Sequence, residues 1–128
     1  MINTLGVKAQ LYLQTHFISD NEVPIYFGAA DVVIQPYRNA TQSGVTPLAY
    51  HFEKPMIVTN VGGLPDMVPH EKVGLVTTPD PHSLAESILW FYQIGEDYFI
   101  PHLRSEKVKY SWENFIRQIH ELADSIKA

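Results

Sequence analysis

The chain has 128 residues, 45% hydrophobic and 18% charged, with no cysteine and a formal net charge of −5. That length and balance describe about one globular domain and exclude a disordered chain. The missing thiols exclude disulfides and cysteine-based metal sites, and the lack of any short basic cluster excludes nucleic acid as a partner.

No apolar run approaches the ~18 residues of a membrane span, and no charged-then-apolar leader is visible. A cytoplasmic location is the expectation, with any membrane-surface association left to parts of a full-length protein outside this chain.

In chain order, Val7 to Phe17 carries a predicted strand near Ala9 to Leu13, and Asn21 to Ala30 a short helix ending at a Gly-containing turn. Asp31 opens the solid apolar run Val32, Val33, Ile34, stopped by Pro36; such a run predicts a strand covered on both faces. Ser43 to Lys54 predicts a helix, with Pro47 in its first turn, where a missing N–H costs little. Met56 to Thr59 predicts a buried strand running into the Gly62-Gly63 turn. Leu64 to Val68 is a short helical turn, and Val73 to Thr78 a further strand.

Asp80 is the predicted N-cap of a helix whose buried stripe is Leu84, Ile88, Leu89 and Phe91. A second helix is expected around Asp97 to Lys107. Ser111 caps a third, with Phe115, Ile116, Ile119, Leu122 and Ile126 at helical spacing. Short buried strands alternating with helices predict a parallel sheet in an α/β fold. About four strands are expected, against about six in a complete doubly wound domain. The sheet is therefore expected to be incomplete at its N-terminal edge, within a single domain over residues 1–128.

Ligands of open α/β sheets bind beyond the carboxyl ends of the strands, and two such ends carry unusual loops. Pro36 to Gly44 is polar and ends in a glycine near a helix start, where exposed N–H groups and the helix dipole suit an anion. The hydroxyls of Thr41, Ser43 and Thr46 are candidate phosphate contacts. By residue chemistry alone an ordinary N-capped helix start, with Gly44 for turn geometry, is the more common outcome of such a sequence. Thr59 to Asp66 is the second loop. Gly62 and Gly63 permit close backbone approach, and Asp66 can accept from sugar hydroxyls; a plain Gly-Gly turn is the competing reading. The six histidines form no ligand-spaced pair, so no metal is expected. His16 follows a predicted strand end and is the one histidine that could reach the same cleft.

The segment DVVIQPYRNATQSGVTPLAYHFEKPMIVTNVGGLPDMVPHEKVGLVTTPDPHSLAESI resembles the C-terminal domain of family 4 glycosyltransferases, which have the two-domain GT-B architecture. Pro36 and Pro55 keep the family spacing without a gap. VKAQLYLQTHFISDNEVPIYFGAAD is similar to the segment that precedes it in the family, and SWENFIRQIHELADSI to the closing helix.

The resemblance implies a Rossmann-like parallel sheet with flanking helices, truncated on its N-terminal side. It also implies a donor-binding role and transfer of a sugar from a nucleotide-diphosphate sugar, with retention of configuration and no cofactor or metal. The acceptor would be a carbohydrate or lipid-linked hydroxyl, in polysaccharide biosynthesis. By position, Thr41, Gln42, Ser43, Gly44, Val45, Thr46, Gly62, Gly63 and Asp66 would form the donor site, with Ser43, Gly44 and Val45 presenting the helix start to the phosphates.

The sequence departs from the family in one respect. Ala40 and Leu48 stand where the family places two glutamates, one on the sugar and one on the ribose; Thr41 and Gln42 could substitute for the first. The family's basic pair for the diphosphate lies in units that would precede Ile2. Lys8 and Arg38 are present but do not match that motif.

The isolated chain is therefore expected to have little or no transferase activity. The rival readings are a non-catalytic module that binds a nucleotide sugar or docks onto a partner, and a GT-B-like sugar-nucleotide epimerase. A receiver-like domain would want a strand-end phosphoacceptor aspartate, whereas Asp31 begins its strand. An open sheet edge also predicts a homodimer through strand pairing.

Overall fold

Met56–Thr59 forms β2, and all four of its residues are buried. A strand without polar alternation has to be covered on both faces, and this one takes the middle of the sheet. Its neighbours are β1 (Val33–Gln35) and β3 (Gly74–Thr77), both parallel to it, in the order β1-β2-β3. The computed structural model describes residues 10–11, 18–39, 45–108 and 112–127, with backbone alone at 112–115, 118 and 127. The strand expected near Ala9 to Leu13 lies largely outside that range. The helices are α1 (Val23–Ala29), α2 (Val45–His51), α3 (Leu64–Met67), α4 (Pro81–Ile94), α5 (Glu96–Lys107) and α6 (Trp112–Lys127).

The core gathers on β2 and β3. Ile57, Val58 and Leu75 are fully covered, together with Phe91 of α4 and with Phe99 and Leu103 of α5. The Phe91 and Phe99 rings stack at 5.5 Å. Helix α4 starts as expected, with Asp80 accepting from the Ser83 N–H at 2.8 Å. Its buried stripe differs by one residue from the expectation. Leu84, Ile88 and Phe91, at helical spacing, face the core, whereas Leu89 is 67% exposed. One residue turns a helix by about 100°, which carries Leu89 off the stripe that Ile88 occupies.

β1 also departs from the expectation that its apolar run is covered on both faces. Ile34 is 37% exposed and the polar Gln35 only 3%. Successive side chains of a strand point to opposite faces, and the face that takes Ile34 is left partly open while the one that takes Gln35 is filled. Hydrogen bonding offsets the desolvation of the Gln35 amide, which donates to the Thr46 hydroxyl at 3.1 Å.

Two backbone features fix the other side. A Cβ at Gly74 would fall on the Met56 carbonyl, so β2 and β3 reach their register only with glycine there. On the outer side of β3, the chain before the strand folds back along it: the Glu71 N–H donates to the Gly74 carbonyl at 2.8 Å, and the Val76 N–H donates to His70 Nδ1 at 2.9 Å. The imidazole of His70 meets Trp90 edge-on, with ring centroids 5.9 Å apart.

Helix α6 has the predicted spacing, but four residues of its apolar stripe are exposed: Ile116, Ile119, Leu122 and Ile126, at 39% to 76%. Ser111 and the Phe115 side chain lie outside the described residues. Among the described residues no helix is long and apolar enough to cross a membrane.

Candidate functional site

Because the three strands run the same way, Gln35, Thr59 and Thr77 bring their carboxyl ends to one side of the sheet, where open α/β sheets take ligands. Hydrogen bonds lace these ends together. The Thr59 hydroxyl donates to the Tyr37 carbonyl at 2.6 Å, tying the end of β2 to the loop after β1. The Asn60 N–H donates to the Thr77 carbonyl at 2.9 Å, tying it to β3. The Tyr50 hydroxyl donates to the Met67 carbonyl, which ties α2 to α3.

Between the ends of β1, β2 and β3 lies a cleft of about 190 Å³, lined by Pro36, Arg38, Thr59, Pro79, Asp80, Pro81 and Leu84. Three prolines and a leucine give it stiff, apolar walls. Two opposite charges face it. The Arg38 side chain is exposed. Asp80 accepts from the Thr78 hydroxyl and from the Ser83 N–H, and these bonds, the Thr78 hydroxyl first, hold its carboxyl below the usual carboxylate range. Asp80 is therefore ionised throughout the neutral range.

Of the residues expected to bind a donor, Thr41, Gln42, Ser43, Gly44 and His16 lie outside the described residues, as does Ala40. Val45 is half-buried and opens α2. Thr46 is a correction. It was expected to offer its hydroxyl to a phosphate; instead it is fully buried, and the hydroxyl is held by the Gln35 amide. It braces the loop from within. Gly62 has φ 54°, the left-handed geometry expected of it, while Gly63 is right-handed at φ −87° and precedes α3. Asp66 is exposed in the single turn of α3. None of Gly62, Gly63 and Asp66 lines the cleft.

What sequence reasoning missed is the third strand end. Asp80-Pro81 reads in sequence as a helix start with its cap, yet with Pro79 and Leu84 it lines one side of the cleft. The signal was available: β3 was predicted, and a parallel third strand must deliver its carboxyl end to the same side. Among the described residues no group of three or more His, Cys, Asp or Glu is placed to hold a metal ion.

A family model described as "Glycosyl transferases group 1" matches residues 3–93, well over half of the chain, and the chain belongs to that family. No curated protein matches it. Among solved structures, sucrose-phosphate synthase from Thermosynechococcus elongatus is similar, with a TM-score of 0.78 at 21% identity, over 98% of this chain and 32% of that one. The likeness shows the fold, an open α/β sheet of the GT-B kind. The chain spans about a third of the length of that structure.

Proposed function

We propose that this member of the group 1 glycosyl transferases is the donor-binding part, the partial C-terminal domain, of an enzyme that uses a nucleotide-diphosphate sugar and retains the anomeric configuration. The observation that carries the reading is the cleft where the ends of β1, β2 and β3 converge, lined by Pro36 and Arg38 of the loop after β1. In the reaction, the bond from the anomeric carbon to a phosphate oxygen breaks and its electron pair leaves with the nucleoside diphosphate. The acceptor hydroxyl oxygen bonds to that carbon and its proton passes to the departing phosphate.

No metal or cofactor enters this scheme. The acceptor is a carbohydrate or lipid-linked hydroxyl, supplied at a surface that this chain does not contribute, and the setting is cytoplasmic polysaccharide biosynthesis. Ser43, Gly44 and Val45 would offer backbone N–H groups to the donor at the start of α2, with Thr41 and Gln42 beside them and Gly62, Gly63 and Asp66 toward the sugar.

The test is a calorimetric titration of the full-length protein that contains this segment with a panel of nucleotide-diphosphate sugars, repeated on the double variant Ser43→Pro, Gly44→Val. One donor binding at micromolar strength and lost in the variant supports the reading and names the sugar. A folded full-length protein that binds no donor overturns it.

A second reading, a non-catalytic module, has one observation in its favour. Leu48, at the place where the resemblance puts a ribose-binding glutamate, is exposed and apolar. That reading predicts donor binding without turnover once an acceptor-binding half is supplied. Two copies would also pair along the side of β1 that no described strand takes; a monomeric mass at high concentration counts against that dimer.

A further inference from the structure

We propose that Arg38 is a cationic contact that this cleft supplies for the donor's phosphates, an assignment that rests on the donor-binding reading above. Among the described residues the cleft is short of other donors. Pro36, Pro79 and Pro81 have no N–H to offer. The proton of the Thr59 hydroxyl is directed at the Tyr37 carbonyl, and the N–H groups of Asp80 and Leu84 are taken by the Thr78 and Asp80 carbonyls. Asp80 itself can only accept. Among the described lining residues this leaves the Arg38 guanidinium as the one charged donor.

Other described cations are occupied or elsewhere. Lys54 pairs with Glu96, while Arg104 and Lys107 reach Glu53. Lys72 sits in the turn before β3, at the opposite end of the sheet. Arg38 has no ion-pair partner among the described residues. A chain of net charge −5 repels an anion at long range, so an anionic ligand needs a local cation at its docking point. A guanidinium meets a phosphate through two parallel N–H bonds, which fixes its orientation as well as its position.

The pair of charges in the cleft then orients the ligand. Its phosphates go to Arg38, away from the ionised Asp80, and its hydroxyl-bearing portion goes to Asp80, whose oxygens keep lone pairs beyond those used by Ser83 and Thr78. In the transfer step the same guanidinium offsets the negative charge that builds on the departing phosphate oxygen.

The experiment titrates the full-length protein that contains this segment with UDP, GDP and ADP and with the matching nucleosides, at two salt concentrations, for the wild type, Arg38→Gln and Arg38→Lys. For the base that binds, Arg38→Gln is expected to weaken the diphosphate roughly ten- to a hundredfold, leave the nucleoside unchanged and flatten the salt dependence. Arg38→Lys should fall between, since an ammonium keeps the charge without the fork.

Unchanged melting temperature is expected for both, because Arg38 touches no described partner. Equal diphosphate affinity in wild type and Arg38→Gln overturns the assignment and leaves the donor reading standing. Equal losses for diphosphate and nucleoside overturn it as well, by showing a structural effect. A wild type that binds no diphosphate removes the donor reading, and this proposal with it.

Discussion

β2 and α6 send the same message in sequence and meet opposite fates in the fold. Met56–Thr59 is apolar and buried at every position. Ile116, Ile119, Leu122 and Ile126 recur at helical spacing on α6, and all four are exposed. Apolar periodicity marks the face of an element that gains from cover. Whether the cover exists depends on other segments, and β2 has two strands and the helices behind them while α6 has nothing across its stripe among the described residues.

The contrast is strongest when the two regions are cut by the same kind of substitution. Leu75→Ala, on the strand beside β2, should cost about 2–5 kcal/mol in urea unfolding, the usual range for a filled core site emptied of its side chain. An equal loss from Leu122→Ala would break the contrast. Next in size is Thr46→Val, expected to cost about 1–3 kcal/mol in urea unfolding because it removes a buried hydroxyl to which the Gln35 amide donates. A Thr46→Val chain of full stability would show that this bond contributes nothing to the fold.

Asp80→Ala sharpens the picture at the cleft wall through its pH dependence. The folded carboxyl titrates below its ordinary value, so the ionised form stabilises the fold above the ordinary carboxylate range. That contribution is lost as pH falls through the lowered value. The stability gap between wild type and Asp80→Ala should therefore be open at neutral pH and close in acid, followed by thermal melts across a pH series. A gap independent of pH would show that the cap works by geometry alone. The smallest effect belongs to α6: Leu122→Ser should shift stability by no more than about 0.5 kcal/mol.

Much of the architecture was legible because its determinants are local. Pro55 and the run Met56 to Thr59 define β2 to the residue, and the Asp80-Pro81 cap and start fixed the beginning of α4. The errors fall where a position depends on a distant neighbour. Ile34 was placed inside because apolar runs normally are, yet the face that takes it is left partly open. Leu89 was placed on the stripe by hydrophobicity alone, and the helical phase carried it away. The site was half legible. Two strand-end loops could be named from composition, but the wall supplied by Pro79 to Pro81, and the place of Arg38 in the same cleft, emerge only when three strand ends are brought together. Thr46 went wrong for a related reason, since nothing local reveals that a hydroxyl in a candidate anion loop turns inward to Gln35.

The hydrogen bonds that His70 and Glu71 make along β3 give the sheet a finished side and an unfinished one. At Gly74 and Val76 the backbone groups that a neighbouring strand would need are already taken. Among the described residues β1 carries no such stop. A further strand, whether from the same polypeptide or another copy, therefore has its place at β1, and the far side is closed to it by an imidazole.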